Sequence, residues 1–159
     1  MSDGTIEWAA SDADLEAILE IDRVSFPAPW TRAMYEDERR HPDRSFLGVW
    51  KSPDGAVAGY ISFWVVADEV HINNVAVRPE ARTRGIGRCL VEFAMRHGAS
   101  RGAVTVLLDV RSANQAARRL YERLGFLPVA VRRGYYAHPP DDALVLTRDL
   151  RELESDPAS

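Results

Sequence analysis

The segment Arg82-Thr83-Arg84-Gly85-Ile86-Gly87-Arg88 is the first place where residue types and spacing imply chemistry. Two glycines one residue apart, just ahead of a helical apolar pattern, let the backbone come close to a ligand. The helix start presents unpaired N–H groups and a partial positive charge, which together suit an anion such as a pyrophosphate. Local charge agrees: residues 78–101 hold six arginines (78, 82, 84, 88, 96 and 101) against Glu80 and Glu92, a balance of +4 in a chain of net charge −4. The remainder therefore sums to −8, and the positive field belongs to the turn. Basic residues are 19 Arg and one Lys, Lys51. Most of that bias reads as composition on solvated faces. The forks around the turn are the candidates for phosphate, which guanidinium matches bidentately.

A dinucleotide site competes for the same glycines, because Asp109 follows Gly87 at a suitable distance. Against it, Leu90 stands where a third glycine belongs, and only 72 residues follow Gly87, too few for a doubly wound sheet. No G-x-x-x-x-G-K-[ST] run exists, which excludes nucleotide hydrolysis at the motif level. Cys89 is the sole cysteine, and His41, His71, His97 and His138 are scattered, so neither a disulfide nor a metal site is expected. A pI near 5.6 argues against nucleic acid as a partner. No apolar run approaches the ~20 residues of a membrane span, and MSDGTIEW lacks the features of a signal peptide. The expectation is a cytoplasmic protein with no membrane partner.

The elements that must position the turn follow from periodicity. Thr5 to Ala9 reads as a strand; Ser11 caps a helix to about Val24, with Asp12 and Asp14 in its first turn. Phe26-Pro27-Ala28-Pro29 breaks that helix, and Thr31 caps a second one through about Arg40. Ser45–Lys51 and Ala56–Val66 form a hairpin across Ser52-Pro53-Asp54-Gly55. Glu69–Arg78 is a strand in which Val70, Ile72, Asn74 and Ala76 alternate against His71, Asn73, Val75 and Val77. From Gly85, the apolar Ile86, Leu90, Phe93 and Ala94 mark a helix. Val104–Val110 is a covered strand, Asn114–Leu124 a helix stopped by Gly125, and Phe126–Arg133 and Ala143–Asp149 the last strands, joined by a long Gly134–Asp142 connection. The order β-α-α-β-β-β-α-β-α-β-β predicts a single mixed-sheet α/β domain over 1–150, with 151–159 a disordered polar tail.

Asn74-Val75-Ala76-Val77-Arg78-Pro79, followed by Arg82-x-x-Gly85-x-Gly87, resembles the acetyl-CoA-binding motif of the GNAT N-acetyltransferase superfamily. The likeness continues through Asp109-Val110-Arg111-Ser112-x-Asn114, Ala117, Leu120-Tyr121 and Leu124-Gly125-Phe126. Arg132-Arg133-x-Tyr135-Tyr136 and Asp142-Ala143-Leu144-Val145 are similar to its RimI group, the ribosomal-protein-alanine N-acetyltransferases. This resemblance spans about Thr5 to Leu150.

It implies the GNAT fold, acetyl-CoA as co-substrate, no metal, and direct transfer of acetyl to an amine in a ternary complex. It places the pyrophosphate on Arg82, Thr83, Arg84, Gly85, Ile86, Gly87 and Arg88, and the pantetheine arm on Val75, Ala76, Val77 and Asn114. Tyr121 matches the residue that protonates the departing thiolate. At Asp109 the pattern has Glu as general base; Asp is a methylene shorter, so a direct role, a water relay, and Glu69 as reserve base all stand open. Tyr135, Tyr136 and Asp142 match the acceptor-covering hairpin. Asp3, Glu7, Asp12, Asp14, Glu16, Glu20 and Asp22, with no Arg or Lys among residues 1–22, either steer a cationic acceptor or form a solvated helical face. The leading function is acetylation of a protein N-terminus, a ribosomal protein starting with Ala. A small-molecule amine as acceptor, and a non-catalytic acyl-CoA-binding module, are the rivals.

Overall fold

A computed structural model describes residues 3–155. One seven-stranded sheet runs in the order β1-β2-β3-β4-β5-β7-β6: β1 (Thr5–Trp8), β2 (Ser45–Lys51), β3 (Val57–Val66), β4 (Glu69–Val77), β5 (Thr105–Arg111), β6 (Leu127–Ala137) and β7 (Pro140–Asp149). The only parallel pair among the described strands is β4 with β5, as expected of two strands linked by a helical crossover. Four helices cover the sheet: α1 (Asp12–Ser25) and α2 (Arg32–Glu38) on one face, α3 (Ile86–Ser100) and α4 (Gln115–Arg123) on the other.

Local chemistry accounts for the helix starts. Ser11 accepts from Asp14 N–H at 3.1 Å while Asp14 reaches back to Ala10 N–H at 3.2 Å. Leu15, Ile18 and Ile21 then fall on one stripe and are wholly buried, each contributing about 1.5–3 kcal/mol by leaving water. They meet Tyr35, Val49 and Tyr60. On the other face Leu90, Val91 and Ala94 of α3 pack on Ile61, Phe63, Val70 and Val106.

Three expectations change. The alternation in β4 does not run unbroken. Its register on β3 passes from Ser62↔Asn74 to Phe63↔Ile72, leaving Asn73 as an extra residue in a bulge. A bulge switches the parity of the side chains, so Ile72 and Val75 face α3 and α4, whereas Ala76 faces α1 and α2. Second, the Gly134–Asp142 connection is mostly strand: β6 and β7 continue to Ala137 and Pro140 and meet in a tight turn. Arg111 anchors that turn, donating to the carbonyls of Pro139 (2.9 Å) and His138 (3.2 Å). Third, residues 151–155 of the supposed tail belong to a 3-10 helix, Leu150–Ser155, with Leu150 buried and Leu153 against the core. Residues 156–159 lie outside the described residues.

Candidate active site

β4 and β5 are paired only as far as Ile72↔Leu108. Beyond that point β4 stays with β3 and β5 with β7, so the two strands diverge, starting at the Asn73 bulge. The opening has free main-chain groups. Arg78 N–H donates to Ala58 O, which sets the phase of the antiparallel ladder. Alternate residues Ala76 and Asn74 therefore bond to β3, and Val75 and Val77 present their polar groups to the opening. A ligand arm carrying amides can pair there as an added strand would.

The turn ahead of α3 stands beside this edge. Gly85 has φ +82° and Thr83 φ +66°. Nothing lies within 4 Å of a Cβ built on Gly85, so backbone conformation rather than space calls for glycine there. The first helical bond is Cys89 N–H to Gly85 O, which leaves the N–H groups of Ile86, Gly87 and Arg88 without a helical acceptor. That cradle fits a pyrophosphate. The arginine forks are used differently from the expectation. Arg82 Nε donates to Val77 O (3.0 Å) and its Nη2 to Ser25 Oγ (3.4 Å); Arg78 holds Val57 O and Glu20. Arg88 and Arg96 share Glu92, and Arg101 holds Asp43 O. Of the six, Arg84 alone has no protein partner among the described residues. Arg78 and Arg82 brace the turn, Arg88, Arg96 and Arg101 are engaged along α3 and at its end, and the free N–H groups are what the turn offers an anion.

A cavity of about 400 Å³ occupies the divergence, a volume within the range of small-ligand pockets. Its floor is Ile72–Val75 of β4 and Leu108–Arg111 of β5; Asn114 caps α4, Ala117 and Tyr121 come from that helix, and Tyr135 and Tyr136 from β6. Tyr121 is buried and packs edge-on against Phe126 at 5.4 Å. Its hydroxyl has no protein hydrogen-bond partner among the described residues. Burial, reinforced by nearby Tyr136, pushes the phenol well above its ordinary value, so it stays protonated. Asp109 meets Arg132 Nε at 3.4 Å through Oδ1. Burial, and then the Asp109 carboxylate, raise Tyr136, whose ring lies 4.0 Å under the Arg111 guanidinium. Asn114 serves twice: its Oδ1 caps α4 through Ala117 N–H at 3.1 Å, and it lines the cavity.

Two residues are not brought to the cavity. Glu69 sits at the closed end of the β4–β5 pair, three residues or about 10 Å short of the divergence, with His71 Nε2 at 3.0 Å. Its position does not serve a base acting in the cleft. Asp142 accepts from Gly134 N–H at 2.8 Å and pairs with Arg133, bracing the β6–β7 hairpin rather than lining the pocket. The acidic residues of 1–22 are largely consumed by the fold: Asp14 and Glu7 flank Lys51, Glu16 meets Arg32, Glu20 meets Arg78, and Asp22 is buried. The α1–α2 connection is an unforeseen wall, with Ser25–Ala28 and Trp30 lining the cavity. Its signal was present as Phe26 and Trp30 bracketing two prolines, apolar bulk in a segment that reads only as a helix breaker.

Diverging parallel strands, an N–H cradle and a buried phenol at the fork define an acyl-CoA-dependent acyltransferase. The sequence profile of the Acetyltransferase (GNAT) family matches residues 15–126, and the chain belongs to that family of N-acetyltransferases, whose acetyl donor is acetyl-CoA. Within it, the chain is 34% identical over 138 residues to the ribosomal protein bS18-alanine N-acetyltransferase of Salmonella typhimurium, covering 86% of this chain and 91% of the relative. It is 31% identical over 147 residues to the N-alpha-acetyltransferase RimI of Mycobacterium tuberculosis, covering 89% and 90%. The crystal structure of the ribosomal-protein-S18-alanine N-acetyltransferase from Escherichia coli superposes with a TM-score of 0.82 at 30% identity, over 92% of this chain and 94% of the other.

Proposed function

We propose that the chain acetylates the α-amine of a protein N-terminus, that of a ribosomal protein beginning with alanine. The observation that carries this reading is the cavity at the fork, where Tyr121 and Asp109 share one space with the Tyr135-Tyr136 hairpin. The identity with bS18-alanine N-acetyltransferases supports the acceptor.

Acetyl-CoA supplies a thioester-activated acetyl group. The N–H groups of the 83–88 turn hold its pyrophosphate, and the Val75 and Val77 main chain pairs with its amide arm. A main-chain N–H at this edge of β4 also polarises the thioester carbonyl. Asp109, directly or through one water, takes the proton that the amine loses as its nitrogen bonds to the carbonyl carbon. Tyr121 gives its phenolic proton to sulfur as the C–S bond breaks, and solvent restores it. Desolvation that raises the phenol raises a thiol in the same cavity, so both are held neutral. A base held only loosely suffices for an α-amine near pKa 8, roughly a tenth of which is neutral at pH 7; a lysine is neutral in about one molecule in 2,500.

The test uses acetyl-CoA and an Ala-starting peptide with an internal lysine, the acetylated position being read by fragmentation mass spectrometry. Acetyl on the α-amine is the expected result. Acetyl on the lysine, with the α-amine untouched, overturns the proposal.

A further inference from the structure

Asp22 is wholly buried at the end of α1, and its carboxylate accepts from two phenols, Tyr35 through Oδ2 and Tyr60 through Oδ1. The two hydroxyls are 3.2 Å apart. Tyr35 and Tyr60 are as buried as Asp22, and the three residues come from α2, β3 and α1. Apolar side chains would join those elements without the penalty of desolvating a carboxylate. What the carboxylate adds is direction, because it fixes where each hydroxyl points.

Tyr35 stands behind the Trp30 wall of the cavity. Its ring lies 5.1 Å from that of Trp30, on the α1–α2 connection. Asn74, on β4, lines the same cavity from its floor. The parity switch at Asn73 turns Asn74 toward α1 and α2, on the side of Ala76. Trp30 and Asn74 both line the cavity. The Tyr35 hydroxyl is spent on Asp22 and Tyr60, which leaves its ring to hold Trp30.

We infer that Asp22 is a positioning residue for the acceptor: by fixing Tyr35 it holds Trp30 against the cavity, and the space left beside Trp30 admits only a small first side chain. This rests on the protein N-terminus being the acceptor. Losing the clamp frees Trp30 to shift, which widens the pocket while the turn ahead of α3 keeps its own braces to Val77 O and Ser25.

The experiment compares kcat/KM for an Ala-starting and a Leu-starting peptide in the wild type, Tyr35→Phe, Asp22→Asn and Leu15→Ala. Tyr35→Phe removes one oxygen and keeps the ring, so it bears the test if Asp22→Asn does not fold. Leu15→Ala loosens the same core cluster without altering the clamp. Expected in Tyr35→Phe and Asp22→Asn is a fall of about tenfold in the Ala-over-Leu ratio, the size of one buried hydrogen bond, with KM for acetyl-CoA unchanged. Leu15→Ala keeps the wild-type ratio while lowering the melting temperature. A ratio unchanged in Tyr35→Phe, or lowered equally in Leu15→Ala, overturns the inference and leaves N-terminal acetylation standing. A wild type that acetylates neither peptide overturns both.

Discussion

Tyr121→Phe removes one oxygen from a buried ring and separates chemistry from folding. The ring keeps its edge-on contact with Phe126, and the hydroxyl it loses bonds to no described protein group. Stability should therefore change by less than about 1 kcal/mol, a shift of a few degrees at most in a domain of this size. The catalytic effect is of another order. Loss of a positioned general acid costs about 10²–10⁴ in rate, and the lower bound alone is about 2.7 kcal/mol of barrier. Release of free thiol from saturating acetyl-CoA, with an Ala-starting peptide as acceptor, reads kcat directly. The expected outcome is a kcat lower by at least about a hundredfold, with KM for both substrates within about threefold and an unshifted melting curve. Because burial raises this phenol, the wild-type rate should also show no loss from its ionisation below about pH 10. A variant with kcat within threefold of wild type would refute proton donation by Tyr121 and leave it a packing residue.

Gly85→Ala should weaken acetyl-CoA binding and cost about 1 kcal/mol of stability, measured by titration calorimetry and melting. Gly85 has φ +82° with open space around it, so strain rather than a clash is responsible. Asp109→Asn should lower kcat/KM by about 10²–10⁴ across the pH range in which the amine reacts; a kcat/KM within threefold of wild type contradicts its role as base. His97 sits among Trp8, Phe46 and Phe93 with its Nε2 buried and unpartnered, and burial, then Arg101, lower its pKa. The unfolded chain therefore binds this proton at a higher pH than the folded one, and stability falls as pH drops below the unfolded value of about 6.5. His97→Phe should flatten that limb of a melting-temperature profile and add about 1 kcal/mol at neutral pH.

The parts legible from sequence are those where one residue type answers one backbone demand. Gly85 marks the left-handed residue before α3, Ser11 and Thr31 mark helix starts, and the stripes on α1 and α3 mark their buried faces. Thr83, also left-handed, could not be read, because a β-branched residue argues against that conformation. The Asn73 bulge was hidden for a different reason: Val70 to Val77 alternates acceptably in either parity, and the extra residue emerges only against the β3 register. Tyr135 and Tyr136 were expected in a connection because Gly134 precedes them and Pro139 follows; pairing with β7 and the Arg111 anchor carry the strand onward. The local +4 drew attention to the turn but could not show how its arginines are used. Whether a fork meets phosphate or a carbonyl such as Val77 O depends on tertiary neighbours that spacing does not encode. Glu69 illustrates the same limit, since its distance from the fork is set by where two strands stop pairing.

The central claim is that the acceptor is a protein N-terminus rather than a small amine. Steady-state acetyl transfer to an Ala-starting peptide, set beside a polyamine panel at equal concentration, tests it most directly. The result expected is a kcat/KM for the peptide at least about a hundredfold above that of any polyamine, a difference of about 2.7 kcal/mol in transition-state binding. Efficient turnover of a polyamine with none of the peptide would contradict it.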